Sequence, residues 1–313
     1  MKQSPSVTYI GVDVCKDFLD AFSPNWAKPK RYGNSIAGIS KLLEALKDTS
    51  LPQLGIESTG GYERPLRIAA ADSQVTLSMV NPRQVRDFAK ASGKLAKTDA
   101  LDAKILAAFG EALDPKPSLL PSKKLQKLRS FVRRRSSLND LRIAEQNQLD
   151  KTQEPIIAKE IRSLIKILEN RIAKLEKLMI QLMDSDIALA DKRQRLEEIK
   201  GVGPVVSATL LAELPELGSL ANPQIASFCG LAPFNRDSGT HKGKRMIIGG
   251  RGRIRKTLYM PTLCAIQHNP PLKDLYQRLV DNGKPAKVAI TAAMRRLLCL
   301  LNRMISDRNF QPQ

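Results

Sequence analysis

Apolar positions run almost unbroken through YIGVDV, residues 9–14, with Asp13 set near the end of the run. That pattern predicts a short buried strand with a carboxylate at its terminus. After the polar Lys16-Asp17 pair, alternation resumes over residues 18–22, which predicts the second arm of a hairpin. Gln53 to Glu57 follows a proline and precedes Ser-Thr-Gly-Gly, so it reads as another buried strand ending in a loop that carries Glu57. The period then changes. Ala100, Leu101, Ala103, Ile105, Leu106 and Ala107 predict a helix with Thr98 as its N-cap, and the three-residue spacing of Asp99 and Asp102 puts both on one face of its first turn.

Three prolines and two serines in DPKPSLLPSKK, residues 114–124, interrupt helical periodicity and mark a boundary. Beyond it, residues 125–190 predict two long helices separated at Pro155. In the second, Ile161, Ile165, Leu168, Ile172, Leu175, Met179 and Leu182 recur at alternating four- and three-residue steps, the a/d pattern of a coiled coil. The partner of this stripe is either the 125–149 helix of the same chain, in a helical hairpin, or a second protomer. The expectation adopted is a contribution to oligomerisation. From about Lys192 a third region begins. Leu196 and Ile199 end one helix, Gly201-Val202-Gly203 makes a tight turn, and Pro204 starts the next helix, a helix-hairpin-helix whose uncovered amides at Gly201 and Gly203 suit a phosphate. The expected division is 1–113, 114–190 and 191–313: an α/β domain, a linker with a helical coiled-coil region, and a mostly α domain.

Charge changes the picture. Of 313 residues, 51 are Lys or Arg and 31 are Asp or Glu, a formal charge of +20. Singly, Asp99 is an ordinary first-turn acid favoured by the helix dipole, and Asp13 or Glu57 could cap a turn. As a spaced set on a strongly cationic chain, Asp13, Glu57, Asp99 and Asp102 point to a divalent-metal site that lets a polyphosphate approach. Hydrophobic content of 42% is enough for real cores. The chain lacks a run of eighteen apolar residues, and MKQSPSVTY lacks a signal-like stretch, so a cytoplasmic, nucleoid-associated protein without membrane contact is expected. Cys15, Cys229, Cys264 and Cys299 are widely spaced and read as reduced, mostly packed thiols, and with only His241 and His268 present a histidine general base is not expected.

Basic residues gather in two places. The first predicted long helix carries Arg129, Arg133, Arg134, Arg135 and Arg142. Between residues 236 and 256 lie Arg236, Lys242, Lys244, Arg245, Arg251, Arg253, Arg255 and Lys256 with glycines between them, a segment able to follow a phosphate backbone without reading sequence. Within it Ser238 precedes Gly239, so its hydroxyl could be presented among guanidinium groups, with Tyr259 a weaker hydroxyl candidate.

The order Asp13, Glu57, Asp99, Asp102, helical spacer, GVGP, then GLAP with Ser-Gly and a basic run resembles the insertion-sequence transposases that join an N-terminal RuvC-like DEDD domain to a C-terminal serine, relatives of the Piv-type DNA invertases. VDVCKD, IESTGGYE, VNPRQVRDFAKASGKLAKTDALDA and GVGPVVSATLLAELPELGSLANPQIASFCGLAP carry the likeness across nearly the whole chain. The resemblance implies an RNase H fold for residues 1–113, Mg2+ held by the four acids, and Ser238 as a nucleophile forming a covalent link to DNA. Many relatives have two adjacent serines where this chain has Asp237-Ser238. It also implies donor and target double-stranded DNA as partners, a structured non-coding guide RNA, and a dimer or tetramer. Two alternatives remain at this level: a RuvC-like hydrolytic nuclease or junction resolvase using water, and an architectural nucleic-acid binder without catalysis.

Overall fold

The chain opens with β1 (Thr8–Val14), β2 (Phe18–Phe22), β3 (Lys30–Gly33), α1 (Ile36–Glu44), β4 (Pro52–Glu57), α2 (Arg64–Asp72), β5 (Thr76–Val80), α3 (Pro82–Ala91) and α4 (Asp99–Leu113). This computed structural model describes residues 7–93, 99–118, 120–234, 237–238, 241–243 and 245–311, the side chains of Asp99, Ala100, Asp237, Ser238, His241 and Lys242 excepted. Thr98, the expected N-cap, lies outside the described residues. Residues 1–120 and 121–313 form two compact units.

In the first unit the five strands make one sheet in the order β3-β2-β1-β4-β5, antiparallel from β1 to β3 and parallel across β1, β4 and β5. This mixed α/β arrangement is consistent with a DEDD nuclease-like domain. Strand pleating sorts the residues between two faces. Ile10, Val12, Val14, Leu19, Ala21, Leu54 and Ile56 pack with Ile39 and Leu42 of α1 and Leu66 and Ala70 of α2. The opposite face, with Gly11 and Gly55, receives α4.

Glycine makes that approach possible. A Cβ at Gly11 would lie 2.0 Å from the Ala103 carbonyl oxygen, and one at Gly110 would lie 2.5 Å from the Tyr9 ring. Since Ala103 sits over Gly11 and Gly110 over Tyr9, α4 runs antiparallel to β1. The Tyr9 hydroxyl donates to the Asp114 carboxylate just past α4, and burial, with Asp114 adding to it, pushes that hydroxyl's pKa up to about 12. Ile105, Leu106 and Phe109 complete the packing against Val80 of β5 and Val85 and Ala89 of α3. At the β5 edge, Ser118 N–H donates to Leu77 O at 2.7 Å and Met79 N–H donates to Ser118 Oγ at 2.9 Å, so the chain itself covers backbone groups that would otherwise be open to pairing.

The second unit holds α5 (Lys123–Leu149), α6 (Pro155–Asp184), α7 (Ile187–Glu197), α8 (Pro204–Glu213), α9 (Asn222–Phe228), β6 (Pro233–Phe234), β7 (Asp237–Ser238), β8 (His241–Lys242), β9 (Met246–Ile247), α10 (Gly252–His268), α11 (Pro270–Asp281) and α12 (Ala286–Ser306). Pro155 opens α6 at the first helical position, where its missing N–H costs nothing. Residues 150–154 turn the chain back, so α5 and α6 form a hairpin. Leu168 and Ile172 of the stripe bury against Leu138 of α5. The short connection delivers α5 to the stripe, so its partner here is the helical hairpin of the same chain. Leu128 and Val132 of α5 and Met179 and Met183 of α6 enter the same core as α8 and α12, so the helical region is continuous in packing with the C-terminal helices. Among the described residues no helix is long and apolar enough to cross a membrane.

Candidate functional site

Parallel pairing of β1 with β4 runs from Thr8↔Pro52 to Val12↔Ile56, so Asp13 and Glu57 are the next residues on adjacent strands at one end of the sheet. Both are partly exposed. They share the pleat face of Gly11 and Gly55, the face covered by α4. Because α4 runs antiparallel to β1, its first turn, which begins at Asp99 and includes the partly buried Asp102, lies toward that same end. The fold thus brings all four sequence positions to one end of one face. Among the described residues no three His, Cys, Asp or Glu form a group placed to hold a metal ion, and the Asp99 side chain is outside that description. In kind the donors fit Mg2+, which takes carboxylate oxygens.

A further acid was missed. Asp20 of β2 stands opposite Asp13 in the antiparallel register and is 7% exposed. Arg31 of β3, its cross-strand neighbour, donates to both carboxylate oxygens, at 2.9 and 2.8 Å, so Asp20 is neutralised within the sheet. The alternation Phe18, Asp20, Phe22 against Leu19, Ala21 was the available signal for its face.

The loops at this end are tied down. Asn34 Nδ2 donates to Cys15 O at 2.8 Å and Tyr62 O at 3.0 Å, joining the β1–β2 turn to the loop after Glu57. In that loop Gly60 (φ +81°) and Gly61 (φ +133°) adopt backbone conformations that other residues rarely reach, and Glu63 accepts from the Thr59 hydroxyl at 2.8 Å and the Gly61 amide at 2.8 Å. Burial alone would raise the Glu63 carboxyl, but these hydrogen bonds together hold it below the ordinary range.

In the second unit several arginines expected to face nucleic acid have partners of their own. Glu213, at the end of α8, is 8% exposed and accepts from Arg133 at 2.8 and 3.2 Å, with Arg129 at 3.7 Å and Arg253 at 3.9 Å. Desolvation would raise its carboxyl, yet the Arg133 hydrogen bonds and the three guanidinium charges outweigh it and leave the pKa lowered. Arg251 forms a two-pronged pair with Glu216 at 2.7 and 2.8 Å, donates to Glu213 O, and lies 4.5 Å from the Phe228 ring centre. Arg255 donates to the carbonyls of Cys229 and Gly249, and Lys256 pairs with Asp140 at 2.7 Å. Arg134 and Arg245 are exposed. Arg236 and Lys244 lie outside the described residues, as does the side chain of Lys242.

Ser238 is in a two-residue strand rather than a simple turn. β7 pairs antiparallel with β8, and the register sets Ser238 opposite His241. A count of two histidines in the chain gives no hint of that neighbour. Gly201 and Gly203 do connect α7 to α8, but they differ in use. Gly201, at φ +96°, packs so close to α10 that a Cβ would meet Cys264 at 2.8 Å and Pro261 O at 2.9 Å, whereas Gly203 has open space and is the N-cap of α8.

Two family models match parts of the chain. A family model for DEDD transposases of the IS110 type, described as "Transposase", matches residues 10–156, and one described as "Transposase IS116/IS110/IS902 family" matches residues 193–277. The pilin gene-inverting proteins of Moraxella bovis and Moraxella lacunata are each 28% identical over 309 residues, covering 94% of this chain and 94% of theirs. An uncharacterized protein of insertion element IS116 from Streptomyces clavuligerus is 29% identical over 124 residues, 38% of this chain and 30% of its own length.

Proposed function

The chain belongs to the IS116/IS110/IS902 transposase family, and on that premise we propose that it recombines the DNA of an insertion sequence through a covalent phosphoserine intermediate at Ser238. Support for the N-terminal half comes from one observation above the others: the antiparallel course of α4 over Gly11, which carries Asp99 and Asp102 toward the end of the sheet where Asp13 and Glu57 stand side by side. Those four residues would hold Mg2+, which when bound supplies positive charge for the non-bridging oxygens of a scissile phosphate. Asp20, paired with Arg31, shapes the neighbouring surface without adding net charge.

The Ser238 hydroxyl attacks phosphorus, a serine–phosphate ester bond forms, and the bond to one deoxyribose oxygen breaks. That oxygen leaves as a hydroxyl carrying the proton. A hydroxyl from a second strand then attacks the ester, restores the phosphodiester and returns the serine. Exposed cations such as Arg134 and Arg245 hold the flanking backbone without sequence preference. Sequence choice is assigned to a structured RNA that pairs with donor and target DNA, and the working form is a homodimer or tetramer. Gly203 and the first turn of α8 offer a phosphate contact of the helix-hairpin-helix kind. In function, residues 1–113 form the metal-binding part, 114–190 the helical spacer and 191–313 the serine-bearing part.

The test is a search for covalent DNA–protein adducts under denaturing conditions, in cells expressing the chain with its native flanking DNA. A nuclease-sensitive adduct in wild type, absent in Ser238→Ala, is expected. Metal-dependent cleavage without adduct in both proteins would replace this proposal with a hydrolytic nuclease, and nucleic-acid binding that survives loss of all four acids without any cleavage would leave an architectural binder.

A further inference from the structure

Beside the ribbon of β6 and β9 lies a groove of about 520 Å3, floored by Leu231 and Met294 and walled by Ile247, Tyr259 and Met260, with Arg255 and Lys256 on the α10 side. Its volume falls within the ~300–1,000 Å3 of small-ligand clefts. Leu231 and Met294 are buried, while Tyr259 is 44% and Met260 67% exposed, so the groove is an apolar slot opening to solvent beside cationic groups.

The aromatic rings on this chain are not alike. Phe18 and Phe228 are also about half exposed, but each lies near a guanidinium, Arg31 at 5.2 Å and Arg251 at 4.5 Å from the ring centre. Among the described residues no ring or cation stacks on Tyr259. Arg255, one helical turn before it on the same face of α10, donates to two neutral carbonyls and to no described carboxylate, so its charge is held in place yet not cancelled. An open aromatic face next to a fixed, uncompensated cation is the combination that binds an unstacked base and its phosphate. The groove also adjoins the ribbon from which the serine-bearing hairpin projects, because Pro233–Phe234 and Met246–Ile247 pair on either side of Ser238 in the chain.

We propose that this groove takes a base unstacked from DNA, with Tyr259 as the stacking platform and Arg255 contacting its phosphate. The proposal rests on the chain acting on DNA, as proposed above, and adds a binding residue that is neither an acid nor the serine. Tyr259 acts through its ring, so its hydroxyl is dispensable, which separates this role from that of a nucleophile.

The experiment uses the full chain and a gapped DNA duplex with 2-aminopurine as the unpaired base, together with an intact duplex and an RNA strand of the same sequence. Wild type and Tyr259→Phe should quench the fluorescence of the gapped duplex. Tyr259→Leu should lose the quenching and bind the gapped duplex about ten-fold more weakly, within the range expected for removing one base–aromatic stack, while binding the intact duplex as wild type does. No quenching by wild type, equal quenching by Tyr259→Leu, or quenching confined to the RNA strand would each overturn the proposal. If wild type binds neither DNA, the proposed function falls as well. If it binds DNA and forms the Ser238-dependent adduct while Tyr259→Leu behaves as wild type, the groove proposal alone falls.

Discussion

Gly11 and Ala103 meet backbone to backbone: a single methyl group on Gly11 would lie 2.0 Å from the Ala103 carbonyl oxygen. Neither partner can swing aside as a flexible side chain would. Gly11→Ala should therefore destabilise the first unit by about 3 kcal/mol, at the upper end for an overpacked core position. Because α4 must lift from the sheet, strand cleavage should fall further than the melting temperature alone explains. A thermal melt and a cleavage assay below the melting point check both parts, and an unshifted melt would contradict the packing described.

Asp13→Asn and Asp102→Asn each keep size and shape while removing a charge. Either should reduce metal-dependent strand cleavage by at least about 100-fold, the effect that even outer partners of metal ligands reach. Duplex binding, measured by gel shift, should stay within a few-fold of wild type. Asp20→Asn should behave differently, lowering thermal stability by removing the carboxylate that accepts both Arg31 hydrogen bonds.

Glu213 makes the second unit sensitive to acid. Its carboxyl titrates below the ordinary 4.5, against desolvation, because of Arg133, Arg129 and Arg253. A carboxyl with a lowered folded-state pKa contributes stability that is fully present above its unfolded value, and that stability is lost as pH falls through the folded value. Unfolding free energy should thus decline below about pH 4.5, and Glu213→Gln should flatten that limb. At neutral pH the same substitution should cost about 2 kcal/mol, less than a fully buried pair since Arg133 and Arg253 are nearly half exposed. Denaturant titrations across pH test both.

Cations of the second unit divide into two groups with different signatures. Arg134→Ala and Arg245→Ala should each lower the salt dependence of DNA affinity, by about 0.9 in log–log slope for each phosphate no longer neutralised, with little effect on melting. Arg251→Ala should instead destabilise the fold by about 1–2 kcal/mol, since its guanidinium is shared by Glu216, the Glu213 carbonyl and the Phe228 ring. Equal slope changes for all three would contradict this division.

Much of the sheet could be read in advance. β1, β2 and β4 follow from alternation or from short apolar runs bounded by polar turns, and the positions of Asp13 and Glu57 at strand ends follow with them. Less legible was what depends on long-range pairing. The neutral segment Thr76–Val80 becomes β5 only because β4 is beside it, and Gly11 matters only once α4 crosses it. The heptad stripe on α6 specified a helical partner but not its origin, because an a/d seam looks the same within or between chains. Among the arginines, composition shows charge but not the carboxylates that the fold brings to Arg133 and Arg251.

The pleat of β1 has a consequence for insertions and deletions. Along a strand neighbouring side chains point to opposite faces, so one residue removed between Ile10 and Asp13 would turn the carboxylate into the apolar layer beneath α1 and α2 and present a valine to α4. Removing two would restore the face yet draw Asp13 back from Glu57 by roughly 6.5 Å. Inactive copies of such an element could arise from the loss of one codon there with every acid still encoded. On the proposed mechanism, the distance between Tyr9 and Asp13, counted in residues, is as strict a requirement as the identity of the acid.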